Sequence, residues 1–464
     1  MARLYCLSEV SSSCHSLLCL CYRHLHPAHG CWLMTNAPGA GFFASYCSDA
    51  QGYCWLTGSR LRSEHSKESD GEQVLRITLV HWSLPPTVGG VECHLVDVAN
   101  GLASAGASVT LISGEAAPTH ELLPGLDLVY APQLDIRRPA VERARVISFS
   151  ELLADASPDV IHCHNTFPLA GQGLASALEK YAYASESLLV HTAHSLWGPG
   201  PGVIRSDRWT KLAASVFMAR ALKLDYGWET TVMPLPVDSI RFSARSRTLK
   251  RPARLLHASR LVEEKGGSVS IEACHRLVSD GYAVRLVVAS TPSIFYRTRT
   301  EPPDLQVQLQ NEADRKGLSE EVTFERAPYA GMRNLYDAAD IALFPSTFEE
   351  PYGLGILQAM SCGRPVIASA VGGIADNIVD NVTGLLIAPG DPSELVRAVK
   401  RLIADPALAS RIAGAGRDFV RESRNLADFC AQLLSLYARA RAVVQLQGRT
   451  RTIAPGRRMF MQQG

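Results

Sequence analysis

The stretch that decides the fold reads Phe344-Pro-Ser-Thr-Phe-Glu-Glu-Pro-Tyr-Gly-Leu-Gly-Ile-Leu-Gln-Ala-Met-Ser-Cys-Gly-Arg-Pro-Val366. It predicts a strand end, a turn, a helix and a second strand. Pro351 suits the first helical position, where its missing N–H is not needed, and Gly363 predicts the end of the helix. Glu350 therefore stands just before a helix N-terminus, where unpaired amides and the helix dipole attract anions. A carboxylate for hydroxyl groups beside amides for phosphate suggests a sugar phosphate ligand.

The chain from Val74 onward alternates strands with helices. Apolar and β-branched runs predict strands at 74–80, 109–113, 159–163, 188–192, 253–259, 284–289, 322–324 and 341–344. Helices are predicted after Gly89-Gly90, over 267–279, and from a start at which Asp391 caps and Glu394 completes a capping-box pair. The proline-rich segment 231–238 divides this pattern in two. The predicted fold class is α/β, with two Rossmann-like doubly wound domains facing across a cleft at the carboxyl ends of their strands.

Length and composition agree with such a protein. A chain of 464 residues is too long for one ordinary core and suits two domains. The formal net charge of +1 gives no general attraction to nucleic acid or to an anionic membrane. No run of 18 apolar residues is available to span a bilayer. Gly89-Gly90 is not the G-x-G-x-x-G pattern of dinucleotide-binding folds, which disfavours a dehydrogenase.

Several segments, in order along the chain, resemble the motifs of one family. They are a glycine-rich loop, two strand ends, a basic loop and the stretch quoted above: 81–92, 159–164, 191–194, 259–266 and 344–366. Together they are similar to the family 4 retaining glycosyltransferases (glycosyl transferases group 1), over residues 74–437. The resemblance implies the GT-B fold and retention of anomeric configuration without a metal. It also implies that an oxygen of the leaving phosphate takes the proton of the acceptor hydroxyl.

The resemblance assigns site residues one by one. It implies that His194 and Glu350 are catalytic, with His194 near the reactive carbon of the donor sugar and Glu350 binding the sugar hydroxyls. Arg260 and Lys265 are the cations expected to neutralise the leaving diphosphate. The implied donor-binding residues are Gly89, Gly90, Arg260, Lys265, Tyr352, Gly353, Leu354 and Gln358. Gln358 stands where the family has a glutamate for the ribose hydroxyls, so we expect weaker or altered nucleotide preference.

The function that follows is transfer of a hexose-type sugar from a nucleotide-diphosphate sugar to an unidentified hydroxyl acceptor, such as a glycan, a glycolipid or a small molecule. The donor is a co-substrate; no cofactor, metal or nucleic acid is expected. Two alternatives stay open: a sugar phosphorylase or nucleotide-sugar epimerase on the same fold, and a non-catalytic nucleotide-sugar binder. The predicted location is the cytoplasm or the surface of a membrane.

The first 72 residues differ from the rest. Seven of the twelve cysteines lie within the first 54 residues, in a segment without helical or alternating periodicity. The main expectation is a disordered or mistranslated extension. A metal knot and a targeting segment are the alternatives; the knot would use Cys14, Cys19, Cys21, His24, His26, His29 and Cys31, and the targeting segment would contain 16–21. The other five cysteines read as reduced, buried thiols of a cytoplasmic protein.

The predicted organisation has five parts. They are the extension over 1–72, an acceptor-side domain over 73–236, a nucleotide-sugar-binding domain over 237–424, a helix crossing back to the first domain over 425–440, and a basic tail over 441–464. The tail carries arginines and no acid up to Arg458. A solvated or disordered tail is the default expectation. Contact with an anionic surface, a lipid or a phosphorylated acceptor is the alternative.

Overall fold

The computed structural model divides the chain into two compact units, Met1–Glu72 and Gln73–Gly464. The structure describes residues 32–33, 44–48, 54–58, 74–85, 89–114, 122–135, 147–165, 172–195, 207–243, 249–291, 305–327 and 329–452. In the first unit, strands β1 (Trp32–Leu33), β2 (Ala44–Ser48) and β3 (Cys54–Gly58) form an antiparallel sheet. The sequence predicts no strands there. The residues of the metal knot and of the targeting segment lie outside the described part of the chain.

The second unit begins with a parallel sheet of seven described strands. These are β4 (Arg76–His81), β5 (Ser108–Ser113), β6 (Asp127–Tyr130), β7 (Val160–His164), β8 (Leu188–Ala193), β9 (Trp209–Ala213) and β10 (Thr231–Val232). Their order is β10-β9-β8-β7-β4-β5-β6. The helices of this domain are α1 (Gly90–Ser104), α2 (Ile147–Ala156), α3 (Gln172–Ser185) and α4 (Val216–Tyr226). Every residue of β7 and β8 is buried, as expected for strands covered on both faces.

A second parallel sheet follows the proline-rich segment. Its six described strands are β11 (Ala253–Arg260), β12 (Val284–Thr291), β13 (Val322–Glu325), β14 (Ile341–Phe344), β15 (Val366–Ser369) and β16 (Leu385–Ile387), in the order β13-β12-β11-β14-β15-β16. Its helices are α5 (Gly267–Ser279), α6 (Leu305–Arg315), α7 (Tyr329–Ala338), α8 (Leu354–Ser361), α9 (Pro392–Ala404) and α10 (Pro406–Ser423). The strand order reverses beside β4 in the first sheet and beside β11 in the second. Ligands of such sheets bind at these switch points.

Helix α8 does not begin where the sequence predicts. Pro351 is not its first residue, because Gly353 has a φ of 88° in the left-handed region and the helix begins at Leu354. Tertiary hydrogen bonds hold the preceding turn. The carbonyl of Glu350 accepts from the amide of Gly373 at 2.7 Å, and that of Pro351 accepts from Ser215 Oγ at 2.7 Å.

The start of α9 is as predicted except for one contact. Asp391 Oδ1 accepts hydrogen bonds from the amides of Ser393 and Glu394, at 2.8 and 3.3 Å. The Glu394 carboxylate does not complete a capping box, because it accepts from the amide of Ala388 at 2.6 Å. Glu394 therefore ties the end of the loop after β16 to the helix instead of capping the helix itself.

The last helix, α11 (Leu426–Thr452), packs on the first domain. Its residues Cys430, Leu433 and Tyr437 are buried in the same cluster as α1 and β4. The helix continues into the predicted basic tail as far as Thr452. Among the described residues, no helix combines the length and the apolar character needed to cross a membrane. The cytoplasmic location and a contact of the tail with an anionic surface stay predictions.

The cysteines of the two domains agree with the sequence. Those in the described part of the second unit are buried and form no disulfide: Cys93, Cys163, Cys274, Cys362 and Cys430. Burial raises the pKa of the thiols of Cys163, Cys274, Cys362 and Cys430. These buried cysteines therefore act as unreactive packing residues.

Candidate functional site

A cavity of about 480 Å³ lies at the carboxyl ends of the strands of both domains. All the site residues predicted from the sequence line it: Gly89, Gly90, His194, Arg260, Lys265, Glu350, Tyr352, Gly353, Leu354 and Gln358. The first domain contributes residues that follow β4, β7 and β8, and the second contributes residues that follow β11 and β14. The structure therefore brings together side chains that are far apart in the sequence.

Two adjacent loops of the second domain carry its charged residues. The loops follow β11 and β14, which are neighbours in the sheet. The amide of Thr347 donates to the carbonyl of Glu264 at 2.8 Å. Gly266 has a φ of 77°, and a Cβ there would lie 2.0 Å from the carbonyl oxygen of Pro345. Only glycine fits this close approach, which brings Lys265 next to the loop of Glu350.

Lys265 and Glu350 form a buried ion pair. Lys265 Nζ donates to Glu350 Oε1, and the two side chains are 15% and 8% exposed. Ser346 Oγ donates to the same carboxylate oxygen at 2.9 Å. Burial lowers the pKa of Lys265 below its ordinary value, although the charge of Glu350 opposes this shift. The sequence assigns the two residues to different parts of the donor, whereas the structure shows that each also orients the other.

Arg260 is the second cation of the cavity. It is the last residue of β11 and is half-buried. The structure records no ion pair for Arg260 with any other described residue. Its guanidinium is placed at the cavity wall, near enough to Lys265 to contribute to lowering the pKa of that amine. This part of the cavity therefore has two cations, one paired with Glu350 and the other half-buried.

The N-terminus of α8 forms the adjoining wall. Gly353 is the N-cap and Leu354 the first helical residue, so their amides have no intrahelical acceptor. Tyr352 lines the cavity, and its hydroxyl donates to the carbonyl of Leu235 at 2.7 Å. That hydroxyl therefore binds the interdomain segment, which the sequence did not predict.

Gln358 is buried one turn further along α8. Its Oε1 lies 3.4 Å from the hydroxyl of Tyr336, which also contacts the carbonyl of Gly355 at 3.1 Å. A tyrosine hydroxyl has one proton to donate, and the carbonyl of Gly355 is the nearer acceptor. Tyr336 is fully buried, so the Gln358 side chain has a fixed neighbour on one side and the cavity on the other.

The first domain supplies His194 and a polar pair beside it. His194 follows β8 and is 8% exposed. Its amide lies 3.4 Å from Asn165 Oδ1, and Asn165 Nδ2 donates to Ser195 Oγ at 2.8 Å. Asn165 and Ser195 line the cavity but were not predicted. Asn165 has a φ of 50°, a left-handed conformation that asparagine adopts more readily than most residues.

A buried carboxylate also lines this wall, and the sequence reasoning missed it. Glu92 is 4% exposed and accepts from Ser83 Oγ at 2.7 Å. His81 Nδ1 donates to the carbonyl of His164 at 2.5 Å, and His81 Nε2 lies 3.5 Å from Glu92 Oε1, an ion pair when the ring is protonated. A Cβ on Gly89 would lie 2.2 Å from Glu92 Oε2. Gly89 therefore leaves the space that this carboxylate occupies.

Three buried histidines could hold a metal. His94, His164 and His194 each offer one ring nitrogen, and these atoms all lie within 4.8 Å of one another. His164 Nδ1 and His194 Nε2 are 3.0 Å apart. Burial lowers the pKa of His94 to about 3 and that of the other two well below the ordinary value, so all three are neutral. The sequence showed no such cluster, and the expectation that no metal takes part stays a prediction.

Contacts between the two domains also escaped the sequence reasoning. Tyr329 of α7 donates its hydroxyl to Asp97 of α1 at 2.5 Å. Arg241 lies 3.5 Å from the same carboxylate, with its guanidinium 4.9 Å from the centre of the Tyr329 ring. Asp97 and Tyr329 are 232 residues apart in sequence, and no local pattern signals a contact over such a separation.

Two family profiles match the chain in succession. The profile described as Glycosyltransferase Family 4 matches residues 88–239, and the profile described as Glycosyl transferases group 1 matches residues 239–419. The two matches meet at residue 239, directly after the proline-rich segment that divides the domains. Together they contain all the predicted site residues.

Named proteins and solved structures are similar over most of the chain. A D-inositol 3-phosphate glycosyltransferase of Geodermatophilus obscurus is 29% identical, over 71% of this chain and 80% of its own. A glycogen synthase of Mycobacterium tuberculosis is 28% identical, over 74% and 89%. The structure of a sucrose-phosphate synthase from Thermosynechococcus elongatus matches with a TM-score of 0.64 and 21% identity, over 80% of this chain and 100% of that one. Anabaena HepE in complex with UDP and glucose matches with a TM-score of 0.63 and 19% identity, over 78% and 99%.

Proposed function

Because the chain belongs to the family 4 glycosyltransferases and has the GT-B fold, we propose that it transfers a hexose-type sugar from a nucleotide-diphosphate sugar to a hydroxyl acceptor. We propose further that the anomeric configuration is retained and that no metal is needed. The observation that carries the proposal is the convergence of Arg260, Lys265, Glu350 and the start of α8 on one cavity.

The cations and the helix start suit a leaving diphosphate. Arg260 and Lys265 offer positive charge, and the amides of Gly353 and Leu354 offer donors that need no rearrangement. Fixed donors in a cavity screened from water stabilise a developing negative charge more than donors in water do. The lowered pKa of Lys265, caused by burial, means that its charged form gains from a nearby anion. A bound diphosphate would supply that anion.

The remaining groups suit the sugar. Glu350 is held by Lys265 and Ser346, so its carboxylate is oriented before a ligand arrives. We propose that it accepts hydrogen bonds from the sugar hydroxyls. His194 lies on the opposite domain, as a neutral ring whose neighbour His164 fixes its position. We propose that it lies beside the reactive carbon, and that an oxygen of the leaving phosphate takes the proton of the acceptor hydroxyl.

A donor screen tests the proposal. Thermal shift against common nucleotide sugars, beginning with UDP-glucose, should raise the apparent melting temperature for at least one of them, because ligand binding stabilises the folded state. Slow release of the free nucleotide and of the free sugar should follow on long incubation. The anomeric configuration of a transferred product, read by NMR, should match that of the donor. A folded protein that binds no nucleotide sugar would refute the proposal.

The same incubation separates the alternative functions. Donor converted to an epimer would indicate a nucleotide-sugar epimerase. Release of a sugar 1-phosphate in the presence of inorganic phosphate would indicate a phosphorylase. Binding without any turnover, over a broad acceptor panel, would indicate a non-catalytic binder.

A further inference from the structure

The backbone of the turn at residues 350–352, called here the Glu350 turn, is held by hydrogen bonds from outside it. Its three carbonyls accept, in order, from the amide of Gly373 at 2.7 Å, from Ser215 Oγ at 2.7 Å and from Asn377 Nδ2 at 2.8 Å. Gly373 and Asn377 follow β15 in the same domain, whereas Ser215 follows β9 in the first domain. One of the three bonds therefore crosses from the first domain to the second.

Ser215 is itself fixed by the first domain. It is 2% exposed and is the N-cap of α4, where its Oγ accepts from the amide of Met218 at 3.0 Å. A serine hydroxyl has one proton, and that proton is donated to the carbonyl of Pro351. Beside it, the amide of Phe217 donates to Asp376 Oδ2 at 3.0 Å. The start of α4 is therefore docked on the second domain by both of these bonds.

The packing around the crossing bond is close. A Cβ on Gly373 would lie 2.3 Å from the carbonyl oxygen of Pro351 and 2.9 Å from Ser215 Oγ. A Cβ on Gly372 would lie 2.3 Å from the carbonyl oxygen of Glu350. The two glycines thus allow the Glu350 turn to approach the segment after β15. In an interior packed this closely, a displacement of Ser215 also displaces the carbonyl that it contacts.

Ser215 reaches the candidate site only through the backbone of this turn. The described residues that line the cavity include Ala214 and Glu350 but not Ser215. The cations proposed to bind the diphosphate, Arg260 and Lys265, come from the end of β11 and the loop after it. The crossing bond therefore bears on the position of the Glu350 carboxylate more directly than on the position of these cations.

Resting on the proposed binding of sugar hydroxyls by Glu350, we propose that Ser215 is an interdomain positioning residue for glycosyl transfer. Its hydrogen bond to Pro351 sets the position of the Glu350 turn. The sugar-binding part of the site is therefore complete only while α4 is docked on the second domain. The diphosphate is bound by a different loop, so loss of the Ser215 hydroxyl impairs sugar transfer more than nucleotide binding.

Two substitutions of Ser215 test this inference. Ser215→Ala and Ser215→Gly both remove the hydroxyl, but glycine is tolerated at an N-cap much better than alanine. With the nucleotide sugar that the donor screen selects, both should lower kcat/KM at least ~10-fold, because a slightly misplaced binding group slows the reaction strongly. The Kd of the released nucleoside diphosphate, measured by calorimetry, should change by less than ~3-fold. In a Glu350→Gln background, Ser215→Gly should lower kcat/KM by less than ~2-fold, because the positioned carboxylate is already absent.

Hydrogen exchange measures the position of the turn without any ligand. The amide of Gly373 is bonded to the carbonyl of Glu350, and the amide of Ile356 is bonded to the carbonyl of Gly353 at 3.0 Å. Peptides that contain these amides should exchange at least ~5-fold faster in Ser215→Gly than in the wild type, because local opening becomes easier. This measurement decides whether Ser215 holds the turn even if no donor is found.

Asp391→Ala is the matched control, because Asp391 caps α9 in the second domain and does not contact the Glu350 turn. It should leave kcat/KM and the exchange of both peptides unchanged. Asp376→Ala removes the neighbouring bond at an exposed residue, so it should fold and lower kcat/KM by about 3-fold with the same unchanged nucleotide affinity.

Wild-type kcat/KM or wild-type exchange in Ser215→Gly would overturn the inference. So would a loss of nucleoside diphosphate affinity as large as the loss of kcat/KM, or equal effects in the Asp391→Ala control. Wild-type kcat/KM in Asp376→Ala would also count against it. A folded protein that binds no nucleotide sugar would instead refute the proposed function.

Discussion

The ion pair between Lys265 and Glu350 offers the sharpest test of the site. Three variants are needed: Lys265→Met, Glu350→Gln and the two combined. Each single substitution leaves the other charge buried without its partner, at a position where the side chains are only 15% and 8% exposed. The double variant removes both charges and leaves two neutral side chains of similar length in contact.

The structure sets the magnitudes. Removing one partner of a buried pair costs about 3–5 kcal/mol, and the residual exposure of Lys265 favours the lower end, about 3 kcal/mol. For a domain of this size that corresponds to a fall of about 6–12 °C in melting temperature. The double variant should cost no more than either single one, so the single effects fail to add by at least about 2 kcal/mol. All three variants should lose kcat/KM at least ~100-fold. The reason is that the proposed mechanism needs both the Lys265 cation and the Glu350 carboxylate, which accepts hydrogen bonds from the sugar hydroxyls.

Circular dichroism melts and donor turnover measure the two effects separately. The control is Lys316→Met, which breaks the pair of Lys316 with Glu272 in the same domain. That pair has an N–O distance of 2.6 Å and side chains 27% and 24% exposed, so its loss should cost no more than about 1 kcal/mol. Single effects at Lys265 and Glu350 that add in the double variant, or that are no larger than the control, would refute the reasoning. So would a double variant that turns over the donor normally.

Replacing Arg260 and Lys265 together with alanine should lower kcat/KM at least ~100-fold, and steady-state kinetics showing near-wild-type turnover would remove both from the mechanism. Gln358→Glu should lower the donor KM by about 5–10-fold, because a charged acceptor strengthens a hydrogen bond to a ribose hydroxyl; an unchanged KM would contradict this. Burial lowers the pKa of His94 and His191 to about 3, from an ordinary 6.5. The unfolded chain therefore takes up protons first, so stability is fully present above pH 6.5 and falls as the pH drops toward 3. Each such histidine should lower the free energy of unfolding by about 1 kcal/mol between pH 6.5 and 5.5. Urea unfolding of His94→Asn should show a shallower dependence of this free energy on pH, and the same dependence as in the wild type would contradict the reasoning. Turnover should survive EDTA treatment, whereas a loss that Zn²⁺ restores would indicate a catalytic metal, for which the three-histidine cluster is the candidate site.

Much of the fold could be predicted from local sequence. The strand predicted at 341–344 and the helix predicted at 267–279 match β14 (Ile341–Phe344) and α5 (Gly267–Ser279) residue for residue. The strand is an apolar run that ends before Pro345, and the helix has regularly spaced apolar residues between Gly266 and Gly281. Both signals are properties of neighbouring residues. The donor-side residues were likewise found from short motifs. Their roles in binding and catalysis stay predictions.

The start of α8 shows where local reasoning ends. Pro351 has the right chemistry for a first helical residue, yet the helix begins at Leu354. The reason is tertiary, since Ser215 and Gly373 come from distant parts of the chain to hold the turn. The preference of proline for the first helical position contributes little free energy, so two such hydrogen bonds can overrule it.

The sequence by itself therefore determined the α/β alternation, the division at the proline-rich segment and the motifs of the cavity wall, because each is written in residues that are close along the chain. Only the tertiary structure decided which charges meet. Lys265 and Glu350 are 85 residues apart and form one ion pair. Glu92 lies near Gly89 in sequence, but its carboxylate contacts His81 and Ser83, at and just after the end of β4. Such contacts depend on how strands and loops are packed, and a linear pattern of residue types does not specify that packing.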